Sequence, residues 1–257
     1  MSGHEQPATP GPLASLDTAL RFLTSVPLPW PPLAPTAGIA GALPYFPLVG
    51  ALIGLALLAV GWLAGVFWPP LASAALLVIA WGTLSGGLHL DGLSDTADGV
   101  MSWRPRERKL EIMRDSRIGV MGALALIGAL LLKLAFLAGA GANWWRAALL
   151  APILGRWAMI YAIARFPAAR ADGLGSSVQG RLPLAHLLLA GTLVFIAAAA
   201  VAGPNGLAAC LLAALGAHLL GRWWTHELGG LTGDTYGACC ELVEVIALAA
   251  LTAEVRI

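Results

Sequence analysis

Seven long apolar runs, separated by short polar segments, dominate the hydropathy pattern of this chain. They lie at about 43–63, 71–90, 119–141, 146–165, 184–202, 206–221 and 237–253. About 20 apolar residues in helical form span the hydrocarbon core of a bilayer, and helices satisfy their own backbone hydrogen bonds there. The pattern therefore predicts an all-α, polytopic integral membrane helix bundle with six to eight transmembrane helices.

The N-terminal part of the chain lacks these long runs. Residues 1–14 are mostly polar and rich in proline, which predicts a disordered tail. Residues 15–257 are predicted to form a single transmembrane catalytic domain. Between Ser15 and Val26 the apolar residues follow a helical period, so we expect a short amphipathic helix on the membrane surface, ending where the prolines begin at Pro27.

The composition supports membrane insertion and excludes other classes. Of the 257 residues, 58% are hydrophobic and only 11% are charged, whereas soluble domains contain about 25% charged residues. The formal net charge is +1, so no basic excess indicates a nucleic-acid partner. Cys210, Cys239 and Cys240 lie in apolar sequence without metal-ligand or disulfide spacing, and we expect them to be buried core residues.

The distribution of lysine and arginine predicts the orientation in the membrane. If each apolar run crosses the membrane once, alternate loops lie on the same side. Eleven lysines and arginines, including those of the basic loop at 100–118, then fall on one side, whereas only Arg146 and Arg256 fall on the other. The positive-inside rule then predicts a cytoplasmic N-terminus. The basic loop, a glycine-rich loop at 173–180 and the segment 229–237 would share the cytoplasmic face.

Three aspartates stand close together in the segment Gly86–Gly99, GGLHLDGLSDTADG. On a helix, Asp91, Asp95 and Asp98 follow i, i+4, i+7 spacing and share one face. Their repulsion is costly at a membrane unless a cation binds there, and oxygen ligands suit Mg²⁺ or Mn²⁺. The spacing predicts metal-dependent phosphate chemistry, with Gly92 and Gly99 admitting a ligand close to the backbone. The alternative is a solvated helix end with ordinary surface acids.

A second charged segment, Glu107–Gly119, mixes acids with arginines. Asp115 follows Glu111 by four residues, and Arg114 and Arg117 are three residues apart. Carboxylates beside arginines suit a site that holds both a metal and a phosphate group. The alternative is a salt-bridged helix at the membrane surface.

A glycine-rich turn and an intramembrane arginine complete the candidates. The turn contains Thr232 and Asp234 and is followed by Glu241 and Glu244. Backbone N–H groups of such a turn can bind an anion, although the acids could equally complement a helix N-terminus. Arg156 lies within an apolar run, where an arginine needs an acid or a phosphate as partner.

Together, these motifs resemble the cobalamin synthase family, the adenosylcobinamide-GDP ribazoletransferases. The matching segments run in order along the chain: Phe46–Gly50, Gly86–Gly99, Glu107–Gly119, Leu154–Trp157 and Gly229–Ala238, the last followed by Glu241 and Glu244. Two positions depart from the family pattern. Ser25 stands where a basic residue is expected, and Met121 replaces an aromatic residue.

The resemblance implies the last assembly step of adenosylcobalamin, the vitamin B12 coenzyme. Such an enzyme transfers the cobinamide-phosphate group of adenosylcobinamide-GDP to α-ribazole, or to α-ribazole 5′-phosphate, and releases GMP. It requires a divalent metal, Mg²⁺ or Mn²⁺, and lies in the bacterial cytoplasmic (inner) membrane. The sequence leaves open whether the chain forms a homo-oligomer or a complex with other cobalamin-assembly enzymes.

The resemblance also implies residue roles. The expected metal ligands are Asp91, Asp95, Asp98 and Asp115. The expected catalytic base, which accepts the proton of the attacking ribose hydroxyl, is Asp98 or Asp115. The expected substrate-binding residues are Arg114, Arg117, Arg156, Thr232, Asp234, Glu241 and Glu244.

Three other activities use similar features. CDP-alcohol phosphatidyltransferases share the D-x-x-D-G pattern found at Asp95–Gly99, but the Ala-Arg pair of their signature is missing after Gly99. A membrane prenyltransferase would show two separate Asp-rich motifs. A divalent-cation transporter would place acids near mid-membrane on several helices, whereas most acids here cluster at one predicted face.

Overall fold

The computed structural model describes residues 11–34, 38–171, 173–178, 180 and 182–253. These residues form α-helices, with no strand among them. Most connections are short, but a longer one between the first two helices contains a 3-10 helix, Ile39–Tyr45. The helices are α1 (Pro12–Leu23), α2 (Phe46–Phe67), α3 (Pro70–Leu84), α4 (Leu88–Val100), α5 (Arg106–Ile112), α6 (Val120–Gly139), α7 (Trp144–Arg165), α8 (Leu174–Val178), α9 (Leu184–Leu228) and α10 (Gly233–Thr252). The predicted all-α fold class is confirmed.

Five helical segments of the described chain are long and apolar enough to cross a membrane, and a bent pair formed by α3 and α4 could supply a sixth. The sequence pattern treats 71–90 as one run. Instead, Gly86 and Gly87 adopt positive φ angles of 62° and 70°, and the two helices meet at 88°. Glycine permits this break because it lacks a Cβ. The Asp-rich segment therefore has a helix of its own.

The 45-residue helix α9 contains a chain reversal. Gly203 has a non-helical backbone conformation, with φ 54° and ψ −130°. A Cβ built on Gly206 would lie 2.0 Å from the carbonyl oxygen of Ala198, although residues eight apart in a straight helix are separated by about 12 Å. Residues 184–202 and 204–228 are thus the two arms of a hairpin, in agreement with the two predicted runs there.

Small residues set the packing at the centre of the bundle, where α7 contacts both α2 and α10. Cβ atoms built on Gly50 and Gly54 would lie 2.5 Å from Pro152 O and 2.6 Å from Leu149 O. On the other side of α7, a Cβ on Gly155 would lie 2.7 Å from the side chain of Glu244. Such contacts require glycine and allow close helix association in lipid.

The N-terminal helix α1 starts and ends three residues earlier than predicted. It begins at Pro12, inside the stretch predicted as a tail, and residues 1–10 lie outside the described part. It ends at Leu23 because Ser25 turns away to the end of α3: its N–H donates to Leu84 O (2.9 Å) and its hydroxyl to Thr83 O (2.5 Å).

Candidate active site

The carboxylate face of α4 consists of Asp91, Asp95 and Asp98. Asp91 is exposed and the other two are half-buried, while His89 and Thr96 on the opposite side are buried. The negative charges of Asp91, Asp234 and Asp98 all act on the carboxylate of Asp95. The face therefore presents several acidic oxygens to one accessible region.

Helix α10 brings a fourth carboxylate, that of Asp234, to this face. A Cβ built on Gly92 would lie 2.6 Å from the backbone oxygen of Asp234. The space beside Gly92 is thus filled by α10, which replaces our prediction that it admits a ligand. Likewise, the space beside Gly99 is filled by Met113 and Lys109.

Thr232 determines where α10 begins. Its hydroxyl accepts the N–H of Thr235 (3.3 Å), and the Thr235 hydroxyl accepts the N–H of Thr232 (2.8 Å), forming a reciprocal capping box. The Thr232 hydroxyl also donates to an Asp234 oxygen at 3.2 Å. Thr232 is buried. Its hydroxyl contacts Thr235 and Asp234, and these contacts position the Asp234 side chain.

Asp98 connects the carboxylate face to the start of α6. One of its oxygens accepts the N–H of Gly119 at 2.7 Å, and the other accepts the N–H of Gly122 at 2.8 Å. Both N–H groups belong to the first turn of a helix, where they lack intrahelical partners. Because each oxygen is held by a separate donor, the Asp98 carboxylate has a fixed orientation.

Asp115 lies in the exposed connection between α5 and α6, where it pairs with Arg117. The Arg117 side chain donates to both carboxylate oxygens, at 3.0 Å from Nε and 2.6 Å from Nη2, and its backbone N–H donates at 3.1 Å. The side-chain and backbone hydrogen bonds from Arg117 lower the pKa of Asp115 to about 2. Arg114 is exposed in the same connection.

Contacts that were not predicted hold the loop 101–119 against the bundle. Arg106 donates to Leu228 O (2.6 Å) and Ala169 O (2.9 Å), and Lys109 pairs with Glu227. Arg170 donates to Leu110 O at 2.6 Å and also acts electrostatically on Asp234. Arg170 therefore adds positive charge at the carboxylate face. In the sequence it is one of several basic loop residues, and no motif marks it as part of the site.

Beneath this face, four charged side chains form a buried ionic cluster: Lys133, Arg156, Glu241 and Glu244. Lys133 donates to Glu241 at 2.6 Å and to Glu244 at 2.5 Å, and Arg156 pairs with the other oxygen of Glu244. None of the four is more than 3% exposed. Of the predicted substrate-binding residues, Arg156 thus pairs with Glu244, and both Glu241 and Glu244 pair with Lys133.

His89 links the ionic cluster to the aspartate helix. Its Nδ1 lies 3.2 Å from Nη2 of Arg156, and since a guanidinium only donates, Nδ1 is the acceptor. The His89 side chain is fully buried. His89 thus connects α4, the helix that carries the aspartates, to Arg156 on α7. Arg156 in turn connects to Glu244 on α10.

Comparison with known proteins identifies the family. The family model for cobalamin-5-phosphate synthase (CobS) matches residues 15–252. The chain belongs to this family. The resemblance inferred from the ordered motifs is therefore confirmed.

Individual CobS relatives match nearly the whole chain. An adenosylcobinamide-GDP ribazoletransferase of Roseiflexus sp. (strain RS-1) is 58% identical over 242 residues, covering 94% of this chain and 90% of the relative. Proteins of the same name from Herpetosiphon aurantiacus and Desulforamulus reducens are each 42% identical, covering 94% and 95% of this chain and 97% and 98% of the relative. No solved structure gives a significant match.

The donor chemistry of this CobS chain suits a hard divalent cation, since the carboxylate face and Asp234 offer only oxygen ligands. Within the described residues, however, no group of three or more Asp, Glu, His or Cys side chains is arranged to hold a metal ion. Asp115 pairs with Arg117 instead of joining the other aspartates. The assignment of Asp91, Asp95, Asp98 and Asp115 as metal ligands stays a prediction.

Proposed function

We propose that this chain transfers the cobinamide-phosphate group of adenosylcobinamide-GDP to α-ribazole or α-ribazole 5′-phosphate, with GMP as leaving group. The observation that carries the proposal is the match to the family model over residues 15–252, together with relatives bearing the name of this activity. The carboxylate face of α4 is the proposed reaction site. It lies at the end of the bundle where α10 begins.

The arginines around this face would bind the phosphate groups of the nucleotide substrate. Arg114 and Arg117 lie on the loop that joins α5 to α6, and Arg170 lies near Asp234. A planar guanidinium binds phosphate oxygens through two parallel hydrogen bonds. We propose that Asp115 orients Arg117 for this purpose, since the Asp115 carboxylate receives both its side-chain and backbone N–H groups.

Asp98 is the proposed catalytic base. Of the two predicted candidates, Asp115 has a pKa of about 2 because of Arg117, which makes it a weak base at neutral pH. The Asp98 carboxylate is held by Gly119 and Gly122 on the same face as Asp91 and Asp95. It would accept the proton from the attacking ribose hydroxyl.

Mg²⁺ or Mn²⁺ is the proposed cofactor, and the carboxylates that would hold it are Asp91, Asp95, Asp98 and Asp234. When bound, such an ion would neutralise negative charge on the pyrophosphate and the departing GMP. Asp234 belongs to this set because its backbone packs against Gly92 of α4.

The ionic cluster is proposed to act from beneath the site. Arg156, Glu241 and Glu244 are at most 2% exposed, so we assign them the role of positioning α4, α7 and α10 rather than touching the substrate. The site would face the cytoplasm from the bacterial inner membrane. This placement rests on the excess of basic residues in loops on that side.

GMP release tests the proposal. Purified protein in detergent would receive adenosylcobinamide-GDP, α-ribazole and Mg²⁺. We expect GMP and adenosylcobalamin in equal amounts, with loss of both in EDTA and in Asp98→Asn. The exposed acid of Glu107 serves as matched control, since Glu107→Gln should retain activity. A folded wild-type protein that releases no GMP would refute the assignment.

A further inference from the structure

A cavity of about 740 Å³ lies between α7 and the two arms of the α9 hairpin. Its wall follows one stripe of α7, from Leu154 through Trp157 and Tyr161 to Arg165, a length of about 16 Å. Aliphatic residues of both arms, such as Leu188 and Leu211, line the other side. Several of these side chains are exposed on the apolar outside of the bundle, so the cavity opens toward the lipid phase.

The cavity is separate from the proposed active site. Arg156 faces α10 through its pair with Glu244, whereas Trp157 is the next residue on α7 and points about 100° away, toward the hairpin. Helix α7 thus stands between the two. The cavity is therefore a poor place for the reacting parts of the substrates.

The polar groups of the cavity lie at defined positions. Arg165 stands at one end, with its guanidinium carbon 5.9 Å from the ring centroid of Phe166 and no carboxylate partner in the described part of the chain. Deeper inside, the indole N–H of Trp157 is buried and has no acceptor among the described residues. The absence of a side chain at Gly191 leaves room there, since a Cβ would lie 3.1 Å from Trp157 Nε1.

The charged end lies at a membrane surface. After α7 ends at Arg165, Ala169 donates its N–H to Leu231 O and Leu231 donates its N–H to Pro167 O, each at 2.8 Å. Arg165 is thus at the same end of the bundle as the start of α10. An arginine at the end of a membrane-spanning helix extends its guanidinium toward the headgroups. A long apolar cavity with one cation at its headgroup end is complementary to a lipid with apolar chains and an anionic headgroup.

We propose that this cavity binds one anionic glycerophospholipid, with an acyl chain along Trp157 and Gly191 and its phosphate on Arg165. The volume lies in the range of cavities that enclose small-molecule ligands. Arginine pairs well with a phosphate at an interface. The cavity lies apart from the proposed active site, so a failure to bind lipid there would leave the proposed activity unaffected.

Fluorescence quenching tests the site. Full-length protein in detergent is titrated with phosphatidylglycerol or phosphatidylcholine carrying brominated acyl chains, which quench nearby tryptophan. We expect a saturable quenching component that Trp157→Phe removes. Arg165→Gln should weaken phosphatidylglycerol binding by roughly tenfold and phosphatidylcholine binding less, because the choline group already compensates the phosphate charge. Gly191→Leu should abolish the component for both lipids.

Matched variants distinguish this site from general lipid contact. Arg222→Gln removes an exposed arginine that does not line the cavity, and Gly128→Leu adds a side chain where nothing lies within 4 Å. Both should bind like wild type. The proposal is overturned if Trp157→Phe keeps the saturable component, if Arg165→Gln retains the lipid preference, or if α-ribazole displaces the lipid.

Discussion

At the scale of single residues, the glycines around the carboxylate face act by leaving space for a neighbouring group. Gly119 and Gly122 each bring a backbone N–H to Asp98, and a Cβ on either would lie within 2.4 Å of an Asp98 oxygen. Gly92 leaves space for the backbone of Asp234. The precision of the site therefore depends on residues that carry no functional group.

Gly122 allows a direct test of this dependence. In Gly122→Ala, the new methyl group would lie 2.3 Å from Asp98 and 2.4 Å from Ser94 Oγ, so the carboxylate must move. We expect GMP release to fall at least about tenfold, because small displacements of catalytic groups are costly. Gly128→Ala on the same helix, with nothing within 4 Å, should retain activity. Equal activity in both variants would contradict the role given to Asp98.

Asp115 and Asp98 should differ in how their loss affects the pH profile. Hydrogen bonds from Arg117 lower the pKa of Asp115 from its ordinary 3.8 to about 2. A depressed pKa means that the contribution of the ionised form is present above about pH 4 and is lost only as the pH falls through about 2. Asp115→Asn should therefore leave the acid limb of kcat unchanged between about pH 5 and 7 and raise KM for the nucleotide substrate.

The measurement for this pair is a pH–rate profile of both variants. Asp98→Asn should lower kcat by about a hundredfold or more, the usual scale of a lost general base. If Asp115→Asn instead shifts the acid limb, Asp115 titrates in the working range and its proposed part in orienting Arg117 is wrong.

At the scale of helices, the buried ionic cluster holds α6, α7 and α10 in register. Its two cations and two carboxylates balance in charge, which is the condition under which such groups are tolerated at membrane depth. The ammonium of Lys133 also lies 4.3 Å from the ring centroid of Trp81 on α3. The side chain of Lys133, on α6, thus contacts both α3 and α10.

Removing Lys133 should expose the dependence on charge balance. Lys133→Met leaves two buried carboxylates with one cation, and breaking such a pair costs about 3–5 kcal/mol. We expect a large drop in the unfolding temperature in detergent. Glu241→Gln in that background should restore part of it, since the excess charge is then removed, and Lys133→Arg should retain most of the stability. Additive losses in the double variant would show that the residues are not coupled.

At the scale of the whole molecule, the polar segments converge on one end of the bundle. The loop 101–119 is bound through Arg106 to Leu228 and Ala169, and the residues after α7 pair with Leu231. The hairpin at Gly203 returns the chain to this end before α10 begins. If the chain crossed the membrane an odd number of times between α4 and the start of α10, Asp234 would lie on the opposite surface from Asp98.

Accessibility labelling tests this arrangement and its orientation. A Cys210→Ala background keeps only the buried Cys239 and Cys240. In it, Ser116→Cys and His226→Cys, made separately, should react with a membrane-impermeant maleimide only in inverted vesicles. A cysteine at Asn143, in the connection between α6 and α7, should react only in right-side-out vesicles, because the basic loops are expected in the cytoplasm. Labelling of Ser116 and His226 from opposite sides would refute the convergence itself.

The sequence by itself determined the membrane class, the family and most helix positions, because apolar runs and ordered motifs are local properties of the chain. It also predicted that Asp91, Asp95 and Asp98 lie on one helix face, since that follows from the helical period alone. The 88° break before α4 was missed, although Gly86 and Gly87 were its local cause.

Only the tertiary structure decided which charges face the ligand and which face one another. Glu241, Glu244 and Arg156 resemble site residues in the sequence, but Lys133, more than 100 residues from Glu241 in the chain, pairs with the glutamates inside the bundle. Asp98 meets Gly119 and Gly122 in the same way, across a loop. Charges act through space over a few ångströms, so their roles depend on neighbours that the order of residues does not specify.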